Sequence, residues 1–297
     1  MKPHNDIAEL EGPFEQIASA TATGGSGSST SVTITLEIDK TALDYGKIDL
    51  ARITQLPALE DKIDRLKKLR DQLQSKKDAG IHNQQDADAI AQLFDQVKQL
   101  TDEIQNVSLE LTEASGQKTP DPIKLTVRTT PGNTYYEFID QKPVGVHARP
   151  GNPTDSIGDL SSGGGYTDDN GVKVISFIPN GNYGTISFKV KHESVYSETV
   201  TLQITGEFKE DAQKRLDDEI QKLNDDAADT LALAAGLLTL AMAVALLAAP
   251  YAALLVAVVA ALVGLLILTT VVSNLRKKKK KLKKNNKPKI DNLPSKQ

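Results

Sequence analysis

Cysteine and tryptophan are absent from this 297-residue chain, and it holds only seven tyrosines and six phenylalanines. Without cysteine there is no disulfide framework, no thiolate metal site and no cysteine nucleophile. The first thirty residues show no signal-peptide order either. Asp6, Glu9, Glu11 and Glu15 interrupt everything after Lys2, so no apolar run of roughly 7–15 residues forms there.

Catalytic patterns are equally scarce. His4, His82, His147 and His192 are scattered, and none sits in a His/Glu or His/Asp pattern fit for a metal on one helix face. The glycine-rich stretch 24–30 lacks the Gly-Lys-Ser/Thr ending of a phosphate loop and reads as a flexible linker. No Gly-x-Ser-x-Gly elbow and no catalytic carboxylate pair stand out. Asp155, Asp159, Asp168, Asp169 and Asn170 offer oxygen ligands of the kind Ca²⁺ takes. Their spacing fits no dedicated calcium loop, however, and Asp169-Asn170-Gly171 already reads as a turn. The expectation is a non-enzymatic chain, with no catalytic residue, cofactor or metal ligand assigned.

What the chain does have is an uneven distribution of charge. The overall net charge is -4, yet residues 276–297 carry ten lysines and one arginine against Asp291 alone. An acidic body and a basic tail are expected to meet different surroundings.

Between Asp229 and Arg276 no residue is charged, and 231–272 is almost wholly Leu, Ala and Val. A bilayer core of roughly 30 Å takes about 20 helical residues, so this block is nearly right for two crossings. Pro250 divides it into 231–249 and 251–272. Proline lacks an amide donor and clashes with the preceding turn, which predicts a transmembrane hairpin turning at Pro250. A single kinked helix, or a core helix of a soluble protein, is the competing reading. The basic cluster follows directly: Arg276, Lys277, Lys278, Lys279, Lys280, Lys281, Lys283 and Lys284. Such a cluster beside a span is drawn to anionic headgroups and to the cytoplasmic or interior side. Nucleic acid is the rival partner, but no aromatic is interleaved for base stacking, so the membrane surface is preferred.

The body shows two other periodicities. Residues 32–38, Val-Thr-Ile-Thr-Leu-Glu-Ile, alternate apolar and polar as a half-buried strand does. The pattern returns at Ile123, Leu125 and Val127, at Val172 and Val174, at Ile186, Phe188 and Val190, and at Val200, Leu202 and Ile204. Pro131-Gly132-Asn133, Asp169-Asn170-Gly171 and Asn180-Gly181-Asn182 supply turns. Short strands at this spacing predict an antiparallel sandwich. Within it, residues 165–177 and the turn from Asp140 to Val144 resemble the strand-turn-strand signature of bacterial Ig-like domains, over about 120–206. That resemblance implies a spacer or recognition module without catalytic residues.

Helical spacing appears in Leu56, Leu59, Ile63, Leu66, Leu69 and Leu73, and again in Ile90, Phe94, Val97, Leu100, Ile104, Val107 and Leu111. Gly80 reads as a helix stop and Asn83 or Asp86 as a start. These predict an antiparallel coiled-coil hairpin, either a projecting arm or two helices lying flat on the sandwich. Leu216, Ile220 and Leu223 mark a third helix running into the apolar block.

The expected fold class is therefore α+β in several parts: an Ig-like antiparallel β-sandwich interrupted by a coiled-coil hairpin, then a C-terminal transmembrane helical hairpin. The expected boundaries are a flexible segment 1–30, a body 31–206 with its insert 55–115, a linker helix 207–229, the hairpin 230–275 and the basic tail 276–297. The function expected is a membrane-anchored structural or attachment protein of a cell envelope or a lipid-containing virion, linking membrane to shell or projecting as a spike. Its partners would be a bilayer with anionic headgroups and further copies of itself. The alternative is a pore former, since the apolar hairpin is similar to that of colicin-type toxins. Those toxins bury it in many amphipathic helices, whereas here the sequence places only one directly before it.

Overall fold

The computed structural model describes residues 17–21 and 33–296. The linker reading of 24–30, His4 and most of the expected flexible segment lie outside the described residues. The chain divides into two compact units: Met1–Ile48 with Gly116–Ala212 and Asp291–Gln297, and Asp49–Ser115 with Gln213–Ile290.

The first unit is built of two sheets. One runs β1 (Ile17–Thr21), β2 (Thr33–Ile38), β4 (Ile123–Thr129), β9 (Val172–Pro179) and β7 (Gly158–Leu160) in spatial order. The other runs β3 (Ala42–Asp44), β12 (Val200–Thr205), β10 (Tyr183–His192), β5 (Tyr135–Ile139) and β8 (Gly164–Tyr166), with β6 (Val144–His147) and β11 (Val195–Tyr196) also paired to β10. β1 falls within the stretch expected to be a flexible lead-in, where it pairs antiparallel with β2.

Alternation sets the register. Leu36 stands opposite Val127, Ile38 opposite Leu125, and Leu125 opposite Ile175, so the apolar set stays on one face across three strands. In the second sheet Ile186 faces Leu202 and Phe188 faces Val200. The inward residues of both sheets form one buried cluster, in which the Phe177 and Phe188 rings meet edge to face with centroids 5.2 Å apart. One pairing departs from the antiparallel expectation: β3 runs parallel to β12. The short segment after β2 carries the chain from the first sheet to the edge of the second.

The turn Asp169-Asn170-Gly171 has a local cause. Asp168 Oδ1 accepts from the amides of Asn170 and Val172, at 3.0 and 2.8 Å. Gly171 sits at φ +75°, and a Cβ there would lie 2.5 Å from the Thr129 carbonyl. Asp168 is thus committed to shaping the turn.

The second unit is helical: α1 (Leu56–Ala79), α2 (Gln84–Gln105), most of α3 (Lys209–Leu247) and α4 (Ala252–Ile290). Gly80, at φ +88°, ends α1, and the Asn83 side chain caps α2 by accepting from the Asp86 amide at 2.9 Å. Leu59, Ile63, Leu66 and Leu73 of α1 are buried, as are Ile90, Phe94, Val97, Leu100 and Ile104 of α2.

These two helices pack within the helical unit. α2 packs along α4, and α1 is tied to α3 through Glu60–Lys222 at 2.8 Å and Lys67–Asp229 at 3.6 Å. Both rungs advance by seven residues on each helix, so α1 and α3 run in the same direction. The amphipathic pair and the apolar pair therefore form one bundle, a partnership that helical periodicity alone does not reveal.

Candidate membrane-contacting surface

α3 and α4 each contain a stretch long and apolar enough to cross a membrane. Four residues, 248–251, join the two helices, and Pro250 lies exposed among them. Proline cannot continue α3 because its nitrogen has no hydrogen to donate. The chain reverses with Tyr251 donating to the Ala248 carbonyl at 2.7 Å, and α4 starts at Ala252.

The two sides of this pair differ. On α4 the face bearing Leu254, Val258, Ala261, Leu265, Leu268 and Val272 is buried. On the opposite face Val256 is 69 % exposed, Val263 61 % and Leu266 64 %, with Leu255 and Val259 beside them. On α3, Leu231, Leu238, Met242 and Leu246 are likewise exposed, Leu246 to 84 %. Only 39 % and 44 % of the two apolar stretches are buried within the protein. A surface helix of a soluble domain turns polar residues outward; here the outward face is as apolar as the inward one. An exposed apolar face of this kind marks an interaction surface.

The helices do not end where the apolar residues do. α4 continues from Leu275 through the whole basic run to Ile290, so the expected tail is helical over most of its length. Arg276, Lys277, Lys280, Lys281, Lys283 and Lys284 are exposed, while Lys278 and Lys279 are half-buried. Consecutive residues step about 100° round a helix, so these cations surround α4 rather than line one stripe. Leu275, Leu282, Asn286 and Ile290 continue its buried side.

Lys279 Nζ donates to Asn224 Oδ1 of α3 at 2.8 Å. That bond sets the basic run level with the acidic stretch of α3, where Asp217, Asp218, Asp225, Asp226 and Asp229 stand. The two blocks of opposite charge, expected to meet different surroundings, lie at the same end of one bundle. Just where charge gives way to the apolar stretch, a groove of about 380 Å³ runs between α3 and α4. Leu223, Ala227, Leu231 and Leu275 line it, with Arg276 and Lys279 at its rim.

One carboxylate at this end is strained electrostatically. Asp226 Oδ2 is buried and accepts no hydrogen bond among the described residues. Burial, then the neighbouring Glu60 carboxylate, holds the Asp226 pKa above its usual value, with Lys222 opposing.

His82, His147 and His192 each hold a ring nitrogen against a backbone carbonyl, those of Ala79, Ser295 and Tyr135 respectively. Among the described residues no three His, Cys, Asp or Glu side chains gather as a metal site.

No protein-family model, no curated protein and no solved structure matches this chain. The functional reading therefore rests on its own geometry.

Proposed function

We propose that this is a non-enzymatic membrane protein that enters a lipid bilayer through the α3–α4 hairpin and presents its two-sheet unit from that anchor. One observation carries the reading: both helices are apolar on their outward as well as their inward faces, over a bilayer's depth. From Leu231 to Leu247, α3 rises about 26 Å, and from Ala252 to Val272, α4 rises about 32 Å. A hydrocarbon core is about 30 Å thick. Cations ring α4 immediately beyond, where headgroup phosphates would lie.

In this reading the two-sheet unit is an Ig-like sandwich serving as spacer or recognition module, in a cell envelope or a lipid-containing virion. The chain self-associates into a larger assembly, and the basic end of α4 keeps to the interior side. Alkaline carbonate extraction of membranes containing the full-length chain tests the anchor. The protein should stay in the pellet; recovery as a detergent-free monomer in the supernatant would remove the proposal.

The runner-up, a pore former, gains support from α1 and α2. The sequence places only one amphipathic helix directly before the apolar hairpin, but the bundle supplies two more from the insert. Release of trapped dye from vesicles by a soluble form would favour this second reading over a permanent anchor.

A further inference from the structure

The charged hairpin α1–α2 and a membrane-spanning α3–α4 cannot occupy the same depth. The Arg70 side chain reaches toward Gly236 of α3, its Cδ lying 3.7 Å from where a Cβ would stand. Lys98 reaches the same distance from Gly264 of α4 with its backbone, and it pairs with Asp102 at 2.7 Å. Gly236 and Gly264 lie well inside the two apolar stretches. Lys68, Asp71 and Asp95, all exposed, add further charge to α1 and α2. Each charge held at a bilayer centre costs about 2.5–3.5 kcal/mol or more, so lipid would reject the four-helix arrangement as a whole.

What holds α1–α2 in place is uneven along its length. Its ionic links to α3, Glu60–Lys222 and Lys67–Asp229, lie at the charged end, before the apolar stretch begins. Farther along, the apolar stretches offer no charge, and the contact is one of apolar packing. Acyl chains are as apolar as leucine, so lipid can take the place of that packing at little cost. The tightest point is between Thr101 and Gly264: a Cβ at Gly264 would stand 2.3 Å from Thr101 Oγ1 and 3.4 Å from Thr101 Cβ. Any side chain at 264 would force the Thr101 hydroxyl to move.

We infer that the inner face of α3–α4 is a second lipid-contacting surface, and that α1–α2 is a displaceable cover that leaves it when the apolar pair crosses a bilayer. The inference rests on the membrane reading above. Once released, α1 and α2 keep an apolar stripe and a charged face each, the form of helices that lie in the plane of the headgroups.

The absence of cysteine makes a clean test. Thr101→Cys with Gly264→Cys places two thiols on carbons close to the spacing of a disulfide, about 3.5–4.5 Å. Oxidised, the full-length variant is locked shut; reduced, it is free. Both forms are mixed with phosphatidylglycerol-phosphatidylcholine vesicles and then extracted with carbonate. The locked form should resist extraction about tenfold less than the reduced form, with α2 amides staying protected from exchange. Equal resistance of both forms would overturn the cover while leaving the anchor intact; extraction of both forms would remove the anchor and the cover together. Gly264→Leu provides the opposite perturbation, since its side chain meets Thr101 and pries α2 away. It should insert at lower lipid concentration than Gly236→Leu, which adds the same apolar bulk against only the flexible Arg70. No difference between these two leucine variants would count against the cover.

Discussion

The side-chain amide of Asn286 closes on both backbone groups of Ala51. Its Oδ1 accepts from the Ala51 amide at 2.7 Å and its Nδ2 donates to the Ala51 carbonyl at 3.2 Å. Both residues are buried, at 0 % and 1 % exposure. Bridges from Asp49 to Ser115 and from Ile53 to Leu111 flank the point, so one asparagine pins α4 to the paired segments that lead into α1 and out of α2.

Asn286→Leu removes both bonds and strands two buried backbone groups, at about 1–3 kcal/mol each. The thermal midpoint of the helical unit should fall by several degrees, in a range of about 4–15 °C. Asn286→Asp keeps the acceptor but loses the donor at neutral pH. Acidification restores a hydroxyl that can donate to the Ala51 carbonyl, so this variant's deficit should shrink as pH falls. Circular dichroism melts at several pH values check both; an unchanged midpoint for Asn286→Leu would dissolve the pin.

Asn286 shows where sequence stops being informative. In a run of lysines and asparagines it reads as one more exposed polar residue, because its partner is a backbone group 235 positions away. Gly264 is hidden for a similar reason: among Leu, Val and Ala it carries no periodic signal, yet it sets the approach of α2. The apolar faces of α1 and α2 were legible at Leu59, Ile63, Phe94 and Val97, since a three-to-four-residue step fixes which side is buried. It does not fix what that side is buried against. Most of the longer strands were readable from alternation, but in β9 (an eight-residue strand) the alternation at Val172 and Val174 marks the wrong side, since Val174 is 54 % exposed while Ile175 and Phe177 are buried; β3, β7 and β8 have three residues each, too few to show a period. Pro250 was legible because proline acts on the backbone locally.

Asp226 predicts a stability difference with a definite sign. Its folded pKa is raised, first by burial and then by Glu60, while Lys222 pulls the other way and Asp225 and Asp229 add to the rise. The folded form therefore holds this proton more tightly than the unfolded form does. The ionised carboxylate costs stability above the raised value, and that cost disappears as pH falls through it toward the ordinary 3.8. Asp226→Asn should melt at a higher temperature than the parent at pH 7, with the gap closing in acid. A variant that melts lower at pH 7 would show that the carboxylate makes a favourable contact instead.

Tyr183 makes the corresponding prediction for the sheet unit at alkaline pH. Its hydroxyl donates to the Glu207 carbonyl at 2.9 Å and accepts from the Gln117 side chain. Burial pushes its pKa from 10.0 to about 12, Gln117 opposing. The unfolded chain loses this proton near 10 while the folded one keeps it, so the stabilisation is complete below 10 and is lost as pH rises toward 12. Tyr183→Phe should be less stable at pH 7 by about 1–2 kcal/mol, since the Glu207 carbonyl loses its donor. Its alkaline decline should also be shallower. Parallel decline of both proteins between pH 10 and 12 would place the titrating group elsewhere.

The basic run of α4 separates the membrane from a nucleic-acid partner. Replacing the exposed Lys277, Lys280, Lys281 and Lys284 with glutamine keeps helix propensity nearly constant and leaves Lys279 on Asn224. Each lysine near an anionic surface contributes about 1 kcal/mol, so partitioning onto phosphatidylglycerol-containing vesicles should weaken by about a thousandfold. Binding to purely zwitterionic vesicles depends on the apolar faces and should hardly change. Added salt should erase the difference on the anionic vesicles, because exposed charges are screened within about 10 Å at 0.1 M. If instead the quadruple variant kept its preference for anionic vesicles but lost a salt-dependent affinity for DNA or RNA, the cations would belong to phosphodiester binding. The apolar hairpin would then stand alone as the membrane-contacting part.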